Sequence, residues 1–204
     1  MVADNAMLAD LAYHLNLVCP LDQAKKLPSA IFLTDDRRTP NPGMVLPTLP
    51  RGSAVILRNY CDKNRASHAF SLRKICRHYG LLFLISGDPA LAIKTGADGV
   101  HLPEWYLRRG VLYPRRLNWL VTVAAHSKAS LTLAARVRAD AALLSPVFPT
   151  DSHKGESTLG VVKFAALVRS SPVPVYALGG VDSLTARRLA SSGAVGVAAI
   201  KGLC

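Results

Sequence analysis

The chain has 204 residues, half of them hydrophobic, which suits a single domain (1–204) with a full core. Its four cysteines (Cys19, Cys61, Cys76, Cys204) show neither CxxC pairing nor metal-ligand spacing with histidine, which argues against a disulfide framework or zinc module and predicts reduced thiols. The net charge of +12 is dispersed over Arg37-Arg38, Arg108-Arg109, Arg115-Arg116 and Arg187-Arg188, and aromatics make up only 6%, so the charge reads as a basic surface or a field for anionic metabolites, not a nucleic-acid interface.

The N-terminus, MVADNAMLADLAYHLNLV, lacks the basic start and unbroken apolar run of a signal peptide. No apolar stretch approaches the ~18 residues of a membrane span. A soluble, cytoplasmic protein without membrane or nucleic-acid partners is expected, and self-association into a homo-oligomer stays open.

Residues 1–28 read as a helical extension. Within it, Asp4–Asn16 is the predicted helix, with Leu8, Leu11, Ala12, Leu15 and Leu17 assigned to one face. Short aliphatic and β-branched runs then alternate with helical segments. The predicted strands are Ala30–Thr34, Ala54–Arg58, Leu82–Ser86, Gly99–Leu102, Trp119–Val123, Ala141–Ser145, Val173–Leu178 and Val195–Ile200. Helical periodicity marks Ser67–His78, Pro89–Thr95, Lys128–Val137, Val161–Arg169 and Ser183–Ser192. Asn41–Leu49 is Pro-rich and Glu104–Arg116 polar and broken, so both connections read as weakly helical. Ser127 and Asp182 stand at N-cap positions, and Gly80, Gly96 and Gly193 at C-caps.

Eight β/α units predict a compact α/β TIM (β/α)8 barrel. A doubly wound open sheet is the alternative, but Thr34-Asp35-Asp36-Arg37 stands where a dinucleotide-binding G-x-G-x-x-G turn would follow the first strand. The sequence stops at Cys204, directly after the eighth predicted strand, so the N-terminal helix is expected to fill the eighth-helix position beside strands one and eight.

The most telling stretch is PVYALGGVDSLTARRLASSGAVGVAAIKGL (Pro174–Leu203), in which two strand ends close in Gly179-Gly180 and Lys201-Gly202. Bare backbone N–H groups at two such ends form a nest for a phosphate dianion, and barrels often build one after strands seven and eight. His126 ends VTVAAH and so lies at the mouth of the barrel, although on its own it reads more readily as a histidine bonded to backbone near an N-cap. His101 alternates with Val100 and Leu102 and reads as core, while His14, His68 and His78 read as structural. Arg58, at the end of strand two, has the geometry to take a carboxylate or phosphate bidentately. Asp35 and Asp36 read as a loop-capping pair.

ADGVHLP (Ala97–Pro103), SPVFPTDSHKG (Ser145–Gly155) and the Gly-Gly and Lys-Gly strand ends resemble signature segments of the thiamine phosphate synthase/TenI superfamily, from about Ala30 to the C-terminus. The resemblance implies a TIM barrel that binds a phosphorylated thiazole. It also implies substrate contacts at Arg58, Thr150, Ser152, His153, Lys154, Gly179, Gly180, Lys201 and Gly202. The superfamily holds two chemistries. Its synthases join a pyrimidine diphosphate to a thiazole phosphate with Mg²⁺ on carboxylates. Here their Asn-Asp pair after strand three reads Ser86-Gly87, with Asp88 displaced by one residue. Their Gly-Gln-x-Asp segment reads Pro103-Glu104-Trp105-Tyr106, and of their Gln-x-Arg-x-Lys set only Arg58 remains. Ala124 replaces their serine before the strand-five histidine. The TenI-like thiazole tautomerases lack those carboxylates too, and share Gly87 and Leu102-Pro103 with this chain. They move a proton to make the thiazole aromatic, a task suited to a histidine with an ordinary pKa of ~6.5. The resemblance therefore favours a tautomerase with His126 as acid and base and with no metal or other cofactor. A synthase with Mg²⁺ on Asp88 and Glu104, or a non-catalytic binder, are the alternatives.

Overall fold

The computed structural model describes residues 2–19, 26–110, 113–114, 116–150 and 157–203. Eight parallel strands close into a barrel in chain order: β1 (Ala30–Leu33), β2 (Ala54–Leu57), β3 (Leu82–Ser86), β4 (Gly99–Leu102), β5 (Leu120–Ala125), β6 (Ala141–Leu144), β7 (Val175–Leu178) and β8 (Gly196–Ala199). Closure is direct, since Phe32 of β1 pairs with Val55 of β2 on one side and Ala199 of β8 on the other.

Parallel strands are covered on both faces, so they need apolar residues throughout rather than in alternation. β1, β2, β4, β6 and β8 are buried at every position. The pleat divides them between two cores. Phe32, Val55, Phe83, Val100, Val121 and Val175 face the helices, whereas Ile31, Ile56, Leu84, Leu143, Tyr176 and Ala198 fill the barrel interior. Two Ala-Asp pairs pin strands at the N-terminal end of the barrel. Asp98 accepts the Phe83 N–H (2.8 Å) and both guanidinium prongs of Arg73 (2.8 and 2.9 Å), and Asp140 accepts the Val121 N–H at 2.7 Å.

Helix α1 (Val2–Val18) packs against β1 and β8, where it was expected. Leu8, Ala12 and Leu15 are buried, and the Asn16 amide donates to Val195 O (3.1 Å) and Leu27 O (3.3 Å), hooking the helix to the start of β8. Leu17, assigned to the buried face, is half-exposed instead. Two residues beyond Leu15 a helix has turned ~200°, which carries Leu17 to the far side.

Between strands run α2 (Pro42–Val45), α3 (Arg65–Tyr79), α4 (Pro89–Thr95), α5 (Glu104–Arg108), α6 (Lys128–Arg136) and α7 (Gly160–Arg169). Ser127 caps α6 through a reciprocal hydroxyl exchange with Ser130. The helix expected over Ser183–Ser192 is replaced by a single 3-10 turn, Ala186–Leu189. Asp182 does not start a helix. Its Oδ1 takes the Leu184 and Thr185 N–H groups (3.0 and 2.8 Å), and Thr185 Oγ1 donates back to Gly180 O (2.9 Å), closing a local turn. The 3-10 turn is short enough to sit beneath α1, which packs over it.

Candidate active site

The strands deliver their C-terminal ends to one mouth, and the polar side chains there fall into two halves. On the β5–β6 side, His126 follows β5 directly. Its backbone N–H donates to Ser130 Oγ (2.9 Å), and its ring Nδ1 lies 2.8 Å from Ser145 O at the end of β6. A carbonyl only accepts, so Nδ1 carries the hydrogen and Nε2 of the neutral ring keeps its lone pair. The side chain is 43% exposed, and Nε2 lies 3.8 Å from Glu104 Oε2. Glu104 opens α5; its Oε1 accepts Arg108 Nη2 at 2.5 Å and Nε at 2.9 Å, so the carboxylate is clamped from the solvent side. His126 lines a cavity of about 410 Å³ together with Ser145, Pro146, Ser157, Thr158 and Lys163.

On the β7–β8 side stand Gly179-Gly180 and Lys201-Gly202. Gly180 has φ +64°, and a Cβ there would lie 2.4 Å from Pro149 O and 2.8 Å from Phe148 Cβ. A Cβ on Gly202 would meet Val181 O at 2.3 Å, so the two strand ends lie backbone against backbone. Glycine at these places serves close packing first. The Gly180 and Gly202 N–H groups donate to no partner among the described residues.

The floor of the mouth carries Arg58 and His101. The Arg58 N–H donates to Thr34 Oγ1 (3.0 Å). His101 is buried with Nδ1 3.0 Å from Thr122 Oγ1, and burial first, the Arg58 charge second, lowers its pKa to about 3. It is therefore a neutral core residue, as its alternation along β4 predicted. Asp35 caps its own loop by accepting the Arg37 and Arg38 N–H groups (3.1 and 3.0 Å), and Asp36 bonds Asn59 instead. Thr150 ends the described part of the loop after β6; Ser152, His153 and Lys154 lie outside the described residues.

The two carboxylates considered for Mg²⁺ are committed elsewhere. Asp88 caps α4 by accepting the Leu91 N–H (2.9 Å), and its other oxygen lies 3.6 Å from Arg65 Nη1. Glu104 is held between Arg108 and His126. Among the described residues no three His, Cys, Asp or Glu side chains converge as a metal site. This donor set does not fit a carboxylate-held Mg²⁺. Sequence reasoning missed the Glu104–His126 approach and Lys163. The i, i+4 spacing of Glu104 and Arg108 was the one available signal that Glu104 is salt-bridged rather than metal-bound.

A closed parallel barrel with its titratable groups gathered at the strand C-termini has the organisation of a TIM-barrel enzyme. Residues 32–203 match the family model described as thiamine monophosphate synthase, and the chain belongs to that family. It is 30% identical over 145 residues to the thiamine-phosphate synthase of Prochlorococcus marinus and 29% identical over 163 residues to that of Thioalkalivibrio sulfidiphilus. The matches cover 70% and 75% of this chain, but 41% of the first relative and 75% of the second. In fold it is similar to the solved thiamine phosphate pyrophosphorylase of Pyrococcus furiosus, with a TM-score of 0.68, 24% identity and 88% of each chain covered. No helix among the described residues is long and apolar enough to cross a membrane.

Proposed function

We propose that this chain is an enzyme of thiamine biosynthesis that binds a phosphorylated thiazole and isomerises its ring by proton transfer through His126. The observation that carries the reading is the state of that side chain. Ser145 O holds Nδ1–H and leaves Nε2 as the basic nitrogen, at a cavity and at the C-terminal end of a barrel strand. Nε2 takes a proton from the saturated carbon of a non-aromatic thiazole carboxylate phosphate, and the imidazolium returns one to the other end of the conjugated system. The ring becomes aromatic, the histidine ends neutral, and no oxidant is consumed. Glu104, 3.8 Å from Nε2, offsets the transient imidazolium charge. The N–H groups of Gly179, Gly180, Lys201 and Gly202 hold the phosphate, Arg58 steers the anion, and Thr150, Ser152, His153 and Lys154 are the further substrate contacts that the family resemblance assigns.

The second reading is thiamine phosphate synthesis from a pyrimidine diphosphate and a thiazole phosphate with Mg²⁺. It is favoured by the relatives, which carry that name. Two assays separate the readings. In the first, ring aromatisation is followed by ultraviolet absorbance, and His126→Ala is expected to slow it by about 10²–10⁴-fold with thiazole phosphate binding retained. The second combines pyrimidine diphosphate, thiazole phosphate and Mg²⁺; diphosphate release that collapses in Asp88→Ala would establish the synthase instead.

A further inference from the structure

The substrate of the proposed isomerisation has two anionic ends, a phosphate and a ring carboxylate, and the β7–β8 strand ends provide for only the first. His126 must reach the ring between them. The cavity that His126 lines adjoins the cup, since its Pro146 packs backbone to backbone on Gly179, and it is the space beside the cup that can take the second end. That cavity is walled by β5, β6 and α7. Among the described residues its polar groups besides the imidazole are Ser145, the hydroxyls of Ser157 and Thr158, and the ammonium of Lys163 on the first turn of α7. Lys163 is exposed and forms no ion pair among the described residues, so its charge is uncommitted. Three other cations of the mouth are differently placed: Arg108 is spent on Glu104, Arg65 donates to Ser86 O (2.6 Å) on the β3 side, and Arg58 follows the C-terminal end of β2, across the barrel from β6.

We infer that Lys163, with the Ser157 and Thr158 hydroxyls, is the carboxylate-recognition site, which makes this cavity the determinant that separates a carboxylated thiazole phosphate from a decarboxylated one. An ammonium and two hydroxyls supply up to five donors to an anion with four lone-pair sites, and among the described residues no acidic side chain lines the cavity to compete. Lysine also suits a loose, mouth-edge contact, since its flexible stem follows the ligand in and out. The placement rests on the proton-transfer reading for its substrate, but the site itself is testable by binding alone.

The test is calorimetric titration of the full chain with two probes, the aromatic thiazole phosphate with and without the ring carboxylate. The unaltered chain is expected to prefer the carboxylated probe by about tenfold, the effect of one partly exposed charge-assisted contact. Lys163→Met levels the two probes by weakening only the carboxylated one, and Lys163→Arg keeps the preference. A folded Lys163→Met chain that still prefers the carboxylate, or an unaltered chain that never does, overturns the inference. Failure of the functional reading looks different. If His126→Ala aromatises its substrate as fast as the parent while the Lys163-dependent preference persists, the reaction is wrong and the anion site stands.

Discussion

Gly180→Ala perturbs one atom at the point where the proposed phosphate cup meets the loop after β6. The residue sits at φ +64°, and the added Cβ would lie 2.4 Å from Pro149 O and 2.8 Å from Phe148 Cβ, inside contact distance of backbone that has no flexible end to move. Left-handed strain in an L-residue costs about 1–2 kcal/mol. Forcing two packed segments apart adds about 1–3 kcal/mol. A total near 2–5 kcal/mol corresponds to a fall in Tm of about 4–20 °C for a chain of this size. Gly96→Ala is the matched control: its φ is +63°, and a Cβ there meets nothing within 4 Å, so it carries the strain without the overlap. Its expected loss is about 1–2 kcal/mol, or about 2–8 °C. Scanning calorimetry on both variants isolates the contact term as their difference. Equal losses would refute the packing role, and glycine at 180 would then serve the ligand alone.

The stability profile in acid should follow His101, whose pKa burial lowers to about 3. The unfolded imidazole titrates near ~6.5, so between ~6.5 and ~3 only the unfolded chain gains the proton. Stability from this group is complete above ~6.5 and drains as pH falls, by roughly 1 kcal/mol per pH unit. His101→Gln flattens that slope in urea melts taken at successive pH values; an unaltered slope refutes the assignment. Asn16→Ala removes the amide that holds α1 to Val195 O and Leu27 O and leaves two carbonyls unpaired. It should cost about 1–3 kcal/mol in denaturant unfolding and speed amide exchange in α1 before the barrel strands; uniform exchange would show that α1 is not docked as a separable unit. Cys76 is buried and its thiol is pushed up to about 12, chiefly by burial, whereas Cys61 is exposed. Brief iodoacetamide treatment of the folded chain at pH 8, read by peptide mass, should label Cys61 and spare Cys19 and Cys76. Early labelling of Cys76 would mean that the α3 face opens.

All eight strands were legible because a parallel barrel strand is buried on both faces, and runs such as Ala54–Leu57 and Ala141–Leu144 carry an apolar signal with no amphipathic ambiguity. Pro89–Thr95 was read to the residue, since Asp88 and Gly96 bracket it with a cap at each end. The segment after β7 was misread for a complementary reason. Ser183–Ser192 has helical periodicity, but its helical register competes with the side-chain bonds of Asp182 and Thr185, and periodicity does not weigh a local turn against a helix. The site was legible where a residue's place follows from a strand end, as with His126 after β5. It was illegible where function depends on which neighbour claims a side chain. Asp88 and Glu104 have the right chemistry for a metal, and only the fold reveals a helix cap and an arginine clamp as their partners.

The Gly179-Gly180 pair shows why the two halves of the mouth should not be treated as independent. Read along the sequence it is a phosphate nest. In the fold it is also the seat of the loop after β6, since Val147 N–H donates to Leu178 O (2.9 Å) and Phe148 N–H donates to Gly179 O (3.0 Å). That same loop begins at Ser145, whose carbonyl fixes the Nδ1 hydrogen of His126. Two backbone hydrogen bonds, from residues 147 and 148 to the end of β7, thus link the cup to the segment that holds the group that would move the proton. A side chain at 180 is therefore expected to act at both ends. Gly180→Ala should weaken thiazole phosphate binding and also lower the turnover of whatever ligand still binds, because Ser145 O shifts with the loop and loosens its hold on the imidazole. Reduced affinity with kcat untouched would show that Ser145 is held by β6 alone and that the loop transmits nothing. A joint loss, in a variant whose substituted residue never touches the thiazole ring, would mean that the phosphate seat and the base are set by the same few backbone hydrogen bonds.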